Sequence, residues 1–347
     1  MAAMAPFSID ATEPDLHELA AFFSSQTGEP AESIYPRLAW QARNPSRRAD
    51  VPLVFCARLP SGAIAGAMLC IPHRLLWRSR QHTALMSSGF YVDRSIRGAG
   101  IHIFLQYRAL GARHVLYATT ANQQTERLWR SAGGAPLART EYELLRPVRW
   151  SPVVEEVLVR RLGRPMAPLA RLVAPLARLR PAGARRGSGA ALEAIDRPED
   201  AAAAALDAGL QPVRDAAFIR WRFLDVPQVD GCVYRYRHAA SGADGFIAVT
   251  HARRGYRFQL RTVYLADMWG TIPPEAFPAL LDAISDRHRR TADLLAIRCV
   301  SEPYERQALA AGCVRRNFDY PIGWFVDRGG VLGPDAVLIP PSATELV

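Results

Sequence analysis

The stretch Val92-Asp93-Arg94-Ser95-Ile96-Arg97-Gly98-Ala99-Gly100-Ile101-His102 decides how this chain is read. Before it runs Leu85-Met86-Ser87-Ser88-Gly89-Phe90-Tyr91-Val92, an apolar segment of strand composition. After it, Ile103 to Leu110 has the spacing of a helix that stops at Gly111. Strand, glycine-rich turn and helix form an anion cradle, because glycines let the backbone approach a phosphate and the first helical N–H groups point at it. Two glycines are a weak signal alone. Their neighbours strengthen it. A second strand, His114-Val115-Leu116-Tyr117-Ala118-Thr119, follows one helix later. Then come Asn122 and a helix through Leu128-Trp129 that ends at Gly133-Gly134.

Composition bounds the rest. The 347 residues suit two domains, and 49% hydrophobic with 22% charged residues is globular. All 43 basic residues are arginine, which excludes Schiff-base and lysine-nucleophile chemistry. Residues 151–190 hold eight arginines against Glu155 and Glu156 and so supply +6 of the net +10. The basic balance is therefore local and does not read as a nucleic-acid surface. Five scattered cysteines without a C-x-x-C, and eight histidines without ligand spacing, predict reduced structural thiols and no metal. The first residues lack a charged start and a long apolar core, and no apolar run reaches 18 residues. A cytoplasmic location is the expectation.

The second half repeats the first at a period near 180 residues. Trp40 in Trp40-Gln41-Ala42-Arg43-Asn44-Pro45 is echoed by Trp221 in Trp221-Arg222-Phe223-Leu224-Asp225-Val226-Pro227. Ser61-Gly62 and Ser241-Gly242 follow at matching distances, each between two apolar strands: Leu53–Arg58 with Ile64–Ile71, and Val233–Arg237 with Gly245–Thr250. Glu126-Arg127 precedes Gly133 as Glu305-Arg306 precedes Gly312. Each copy should run strand, two helices, three antiparallel strands, helix, strand, helix, strand. The first copy opens with a strand at Phe7–Asp10 and a helix over Pro14–Ser24 capped by Thr12. The recurrence of Trp40 and Trp221 points to packing.

Loop, strand order and the Asn-led helix together resemble the acyl-CoA-dependent N-acyltransferases of the GNAT superfamily. The resemblance spans about residues 5–147, and the tandem copy is similar to double-domain GNAT proteins. The family's phosphate loop reads Arg/Gln-x-x-Gly-x-Gly/Ala; here Arg97-Gly98-Ala99-Gly100-Ile101-His102 matches except at His102. The resemblance implies a mixed α/β fold of two GNAT-like modules. It divides the chain into an acyl-CoA-binding domain at 1–150, a basic linker at 151–190, a degenerate module at 191–330 and a tail at 331–347. It implies acetyl-CoA or another acyl-CoA as cofactor, held by Phe90, Tyr91 and Val92 of the strand, by Arg97, Gly98, Ala99, Gly100, Ile101 and His102 of the loop, and by Asn122. His102 could instead face solvent. The second copy reads Ala266-Asp267-Met268-Trp269-Gly270-Thr271-Ile272-Pro273-Pro274, where two prolines remove N–H donors. One acyl-CoA per chain follows.

The family's proton carriers are missing. Thr83 to Ser88 contains no carboxylate, and Trp129 stands where a tyrosine often protonates the thiolate. Asp267, an acid in an apolar strand, is the candidate base; pairing with an arginine is the other reading. Ser88, with Ser87, could order a water or the substrate. Tyr91 and Tyr107 could serve as acids or as core aromatics. The expected activity is acyl transfer to the amine of a small molecule or envelope precursor. The rivals are a Fem-like aminoacyl-tRNA-dependent transferase and an acyl-CoA-binding protein without catalysis. Residues 160–186 could touch anionic lipid as a basic amphipathic patch or form a solvated linker.

Overall fold

A computed structural model describes residues 7–11, 13–162, 189–202, 211–254, 260–298 and 301–327. The first copy contributes β1 (Ser8–Asp10), α1 (Leu16–Thr27), α2 (Ala31–Ala42), β2 (Val54–Arg58), β3 (Ile64–Trp77), β4 (Arg80–Val92), α3 (Ala99–Ala109), β5 (Val115–Ala118), α4 (Gln123–Ser131), β6 (Ala135–Pro136), β7 (Tyr142–Pro147) and α5 (Trp150–Leu162). The second contributes β8 (Ala190–Ala194), β9 (Gln211–Pro212), α6 (Ala216–Ile219) running into a π-turn at Arg220–Leu224, β10 (Gly231–His238), β11 (Ala243–Arg254), β12 (Leu260–Thr271), α7 (Phe277–Arg287), β13 (Leu294–Ile297), α8 (Glu302–Ala310), β14 (Val314–Asn317) and β15 (Trp324–Val326). The mixed α/β architecture with two modules is the one the repeat implied. Both Ser-Gly turns are present, with Gly62 and Gly242 at φ 86° and 64°, backbone that glycine adopts without strain.

The sheets do not respect the division at residue 150. The first sheet orders β1-β2-β3-β4-β5-β15-β6, and the second β14-β7-β13-β12-β11-β10-β8. The modules have exchanged their last strands. β7 pairs antiparallel with β13 and β14, while β15 pairs with β5 and β6. The span read as a linker at 151–190 begins inside α5 and reaches the start of β8; its centre, 163–188, and the tail at 331–347 lie outside the described residues.

The tryptophan landmarks of the two copies meet in the core. Trp40 and Trp221 stack with ring centroids 4.6 Å apart and planes 11° from parallel. Trp40 Nε1–H donates to the Trp221 carbonyl at 2.7 Å, and Trp221 Nε1–H donates to the Trp40 carbonyl at 2.9 Å. The reciprocal bonds satisfy two donors that burial would otherwise strand. Around them one apolar core runs from Phe23 and Val54 through Phe218 and Phe223 to Ala248 and Trp269, so both modules share an interior. Ionic hubs add to this joint. Glu143 of β7 is fully buried and paired with Arg254, Arg298 and Arg316, which hold its carboxyl below the usual range despite burial.

Two local expectations change. Asp15 caps α1, its carboxylate accepting the His17 N–H at 2.8 Å, while Thr12, the expected cap, lies outside the described residues. The helix after the glycine loop begins at Ala99, inside the loop itself. Of the cysteines, Cys56, Cys70, Cys232 and Cys313 are free thiols; burial raises Cys56 to about 12 and Cys313 to about 11, so their thiolates are suppressed. Cys299 lies outside the described residues. Among the described residues no cluster of three or more His, Cys, Asp or Glu could hold a metal, and no helix is long and apolar enough to cross a membrane.

Two buried imidazoles tie stability to pH. His73 bonds the Tyr117 hydroxyl through Nδ1 inside the shared core, and burial, then the charge of Arg222, lowers it to about 3. Burial and neighbouring charge lower His288 to about 4. Both are neutral in the fold, whereas the unfolded chain protonates them near pH 6.5. Stability therefore falls as pH drops through 6.5 and goes on falling towards 4 and 3. At pH 4.5 each histidine should cost about 2–3 kcal/mol relative to pH 7. Urea midpoints at the two pH values check this. His73→Phe should show a smaller acid loss than wild type.

Candidate active site

The site begins where β4 and β5 part. Their parallel ladder covers only Ala84–Met86 against Val115–Tyr117, and β4 continues to Val92 paired with β3 but free of β5. Tyr107 of α3 sits at the fork. Its hydroxyl donates to the Leu85 carbonyl at 2.6 Å and lies 3.3 Å from the Tyr117 carbonyl, bridging the diverging strands. Burial raises its pKa well above the ordinary tyrosine value. Tyr107 is thus a clamp and not an exposed acid.

Beyond the fork β4 carries a bulge. Ala67 pairs with Tyr91 and Leu69 with Ser88, so Gly89 and Phe90 face the single residue Met68. Gly89 takes φ 54°, and a Cβ there would lie 3.2 Å from Leu69 Cδ1, so this bulge needs glycine. The bulge turns Ser88 to Tyr91 towards a cavity of about 320 Å³ between the parted strands. Met68, Phe104 and Trp129 line it, with Ser87, Ser88 and the capped start of α4. Trp129 is buried edge-on against Phe104 and Tyr107, and its indole takes the place a phenol would need.

A second cavity of about 600 Å³ shares Phe90, Asn122 and Thr125 with the first, so the two form one groove. It leads past Val92 to Arg94 and Arg97 ahead of α3. Both arginines are exposed and have no carboxylate partner among the described residues. Gly100 is buried at the groove wall; a Cβ there would lie 3.4 Å from Val92 Cγ2 and 3.6 Å from Phe90 Cζ. Asn122 borders both cavities, but its side-chain oxygen caps α4, accepting the Gln124 and Thr125 N–H groups at 3.0 and 2.9 Å. The groove lining thus offers two guanidiniums, hydroxyls and amides, and no carboxylate or imidazole among the described residues.

The predicted residues divide. Ser88, Phe90, Tyr91, Val92, Arg97 and Asn122 line the groove. Gly98, Ala99 and Gly100 stand at the start of α3, where Gly100 packs behind the lining residues Val92 and Phe90. Ile101 and His102 turn away. Ile101 is 55% exposed, and His102 is exposed with its ring edge-on to Phe7 at 5.4 Å. Asp267 is also elsewhere. It lies on β12 of the other sheet in a bidentate ion pair with Arg214, at 2.8 and 2.9 Å, both side chains buried. The sequence reading passed over Arg94, Gln26, Thr125 and Leu128, which the fold brings to the groove. Arg94 was findable, three residues before Arg97 in the same turn; Gln26, at the end of α1, carried no signal.

No family model matches the sequence, and no curated protein is significantly similar to it. Solved structures do match. The chain superimposes on a conserved protein of unknown function from Enterococcus faecalis V583, described as a probable N-acyltransferase, with TM-score 0.57 and 10% identity over 92% of this chain and 72% of that one. The fold is that of the GCN5-related N-acetyltransferases. One such enzyme from Anabaena variabilis matches with TM-score 0.52 and 12% identity, covering 92% of this chain and 72% of the other. The N-myristoyltransferase of Saccharomyces cerevisiae, solved with bound myristoyl-CoA, matches with TM-score 0.55 and 12% identity over 94% and 82%.

Proposed function

We propose that the chain is an acyl-CoA-dependent N-acyltransferase whose first module binds the acyl donor along the Arg97–Trp129 groove. The observation that carries this reading is the continuity of the groove. Arg94 and Arg97, without a carboxylate partner among the described residues, stand at one end, a forked and bulged strand in the middle, and an apolar floor at the other. Arg94, Arg97 and the first N–H groups of α3 would hold the pyrophosphate. Gly100 gives the fit its test: a Cβ there would meet Val92 and Phe90 at ordinary contact distances, whereas a longer, charged side chain would project between these two lining residues.

On β4 the ladder to β5 ends at Met86, so N–H groups on that edge beyond it are free of β5 and can polarise a thioester carbonyl laid along the strand. Met68, Phe104 and Trp129 would receive the acyl group. Without a lining carboxylate, the amine must arrive neutral or lose its proton to water. The residues then act by alignment and polarisation, which can supply ~7–11 kcal/mol where reactants are well placed. An amine on a small molecule is the acceptor class we favour, entering over Tyr91 and Ser88.

The absent acid and base also favour a second reading, an acyl-CoA-binding module without turnover. One experiment separates them. Calorimetric titration with acetyl-CoA should saturate at one per chain. Release of free thiol should then exceed the buffer rate when a panel of primary amines is added. Saturation without thiol release would support the binding module, and saturation at two or no binding would overturn the assignment.

A further inference from the structure

A further cavity, about 640 Å³, lies on the second module, where β11, β12 and the end of α7 converge. It is not part of the groove. Its lining includes Arg253, Arg261, Arg287, His251, His288 and Asp230. Arg261 is held by Asp293 through Nε and Nη2 at 3.3 and 3.2 Å. Arg253 and Arg287 have no carboxylate partner among the described residues, and Arg287 lies over the buried Tyr234 ring at 5.8 Å. On β11, Arg254 is spent on Glu143 while its neighbour Arg253 goes to the cavity.

The histidines are wired in one sense. His251 Nδ1 faces the Asp230 carbonyl at 3.0 Å, so it must donate. In the neutral imidazole His251 Nε2 then carries the lone pair and accepts from His288 Nδ1 at 3.1 Å. That leaves His288 Nε2 as a buried acceptor with no partner among the described residues, in a residue 5% exposed. Buried polar atoms usually find a partner in protein or solvent, so this one, in a residue that lines the cavity, calls for a donor there. The cavity also touches the first module, since Gln228 on its rim donates to the Ser33 carbonyl of α2 at 2.9 Å.

We propose that this cavity is a binding site for a phosphate monoester, gripped by Arg253 and Arg287 beside the paired Arg261, with the His251–His288 chain forming its base. Two guanidiniums without carboxylate partners among the described residues match the oxygens of a phosphate monoester, and the P–OH of its monoanion supplies the donor that His288 Nε2 lacks and that an ionised carboxylate cannot give. The same chemistry could come from a free phosphorylated metabolite, from a phosphate-bearing lipid headgroup or from the phosphate of a nucleotide cofactor.

Inorganic phosphate is the probe. Adding it to the 15N-labelled chain at constant ionic strength should shift the ring signals of His251 and His288 and saturate in about the millimolar range, typical of a few contacts to a small ion. Acetate should give less than a tenth of that affinity. The exposed pair Arg253→Gln and Arg287→Gln should weaken phosphate at least ~10-fold and leave acetyl-CoA affinity intact. Gly100→Asp should do the reverse, which separates this site from the acyl-CoA reading and shows whether CoA supplies the phosphate. Co-sedimentation with phosphatidylcholine vesicles bearing phosphatidic acid, lost in the double variant, would assign a lipid source. No shift at tens of millimolar phosphate, equal response to acetate, or unchanged binding in the double variant would each overturn the proposal.

Discussion

Gly100→Asp should abolish acyl-CoA binding while the chain stays folded. The position tolerates a Cβ, because its nearest neighbours would lie at 3.4 and 3.6 Å, ordinary contact distances. Those neighbours are Val92 and Phe90, which also line the groove. A carboxylate added there projects between them and sets a negative charge where Arg97 and the start of α3 offer positive potential. The loss should reach at least ~100-fold in affinity, about 2.8 kcal/mol. Gly100→Ala is the control, adding the contact without the charge, and should bind within a few-fold of wild type. Calorimetry on both variants, with melting curves alongside, decides it. Undiminished binding by the folded Gly100→Asp chain would remove the groove from the cofactor assignment.

What the sequence showed was what local chemistry encodes. The Arg97–Gly100 loop, the Ser-Gly turns and the capped start of α4 at Asn122 each depend on residues within a few positions, so their spacing survives in one dimension. Even the internal repeat is a comparison of local patterns. The exchange of β7 and β15 is different. Tyr142–Pro147 and Trp324–Val326 are short segments whose partners are set by sheet closure between modules, and nothing in either segment names the sheet it joins. The groove followed the same rule. Phe90, Tyr91 and Arg97 were legible because bulge and loop are contiguous, whereas Gln26 reaches the groove from α1 only through tertiary packing. Ile101 and His102 sit outside the groove for a helical reason. The loop is already α-helix from Ala99, so consecutive residues point around the axis and only some face the groove. The charged cavity of the second module was invisible because His251 and His288 lie on separate elements.

Asp267→Asn should lower stability strongly and leave acyl-CoA affinity unchanged. An acid in an apolar strand invites a catalytic reading, but its partner was 53 residues away in sequence. Arg214 meets it side-on through Nε and Nη2 and lies over the Trp269 ring at 5.7 Å. Arg214 follows β9, which pairs with Leu75 and Leu76 of β3 in the first sheet, while Asp267 belongs to the second. The ion pair therefore fastens one sheet to the other. Breaking such a pair leaves a buried guanidinium uncompensated and should cost about 3 kcal/mol or more. Replacing both partners with apolar residues, Asp267→Leu with Arg214→Met, should recover most of that loss, because desolvation cancels much of the attraction within a buried pair. Melting temperature and the rate of thiol release per folded molecule, measured on the single and double variants, separate the two roles. A rate that falls ~100-fold in Asp267→Asn at unchanged melting temperature would return this carboxylate to catalysis as a general base; a lowered melting temperature with an intact rate leaves it as the fastening between the sheets.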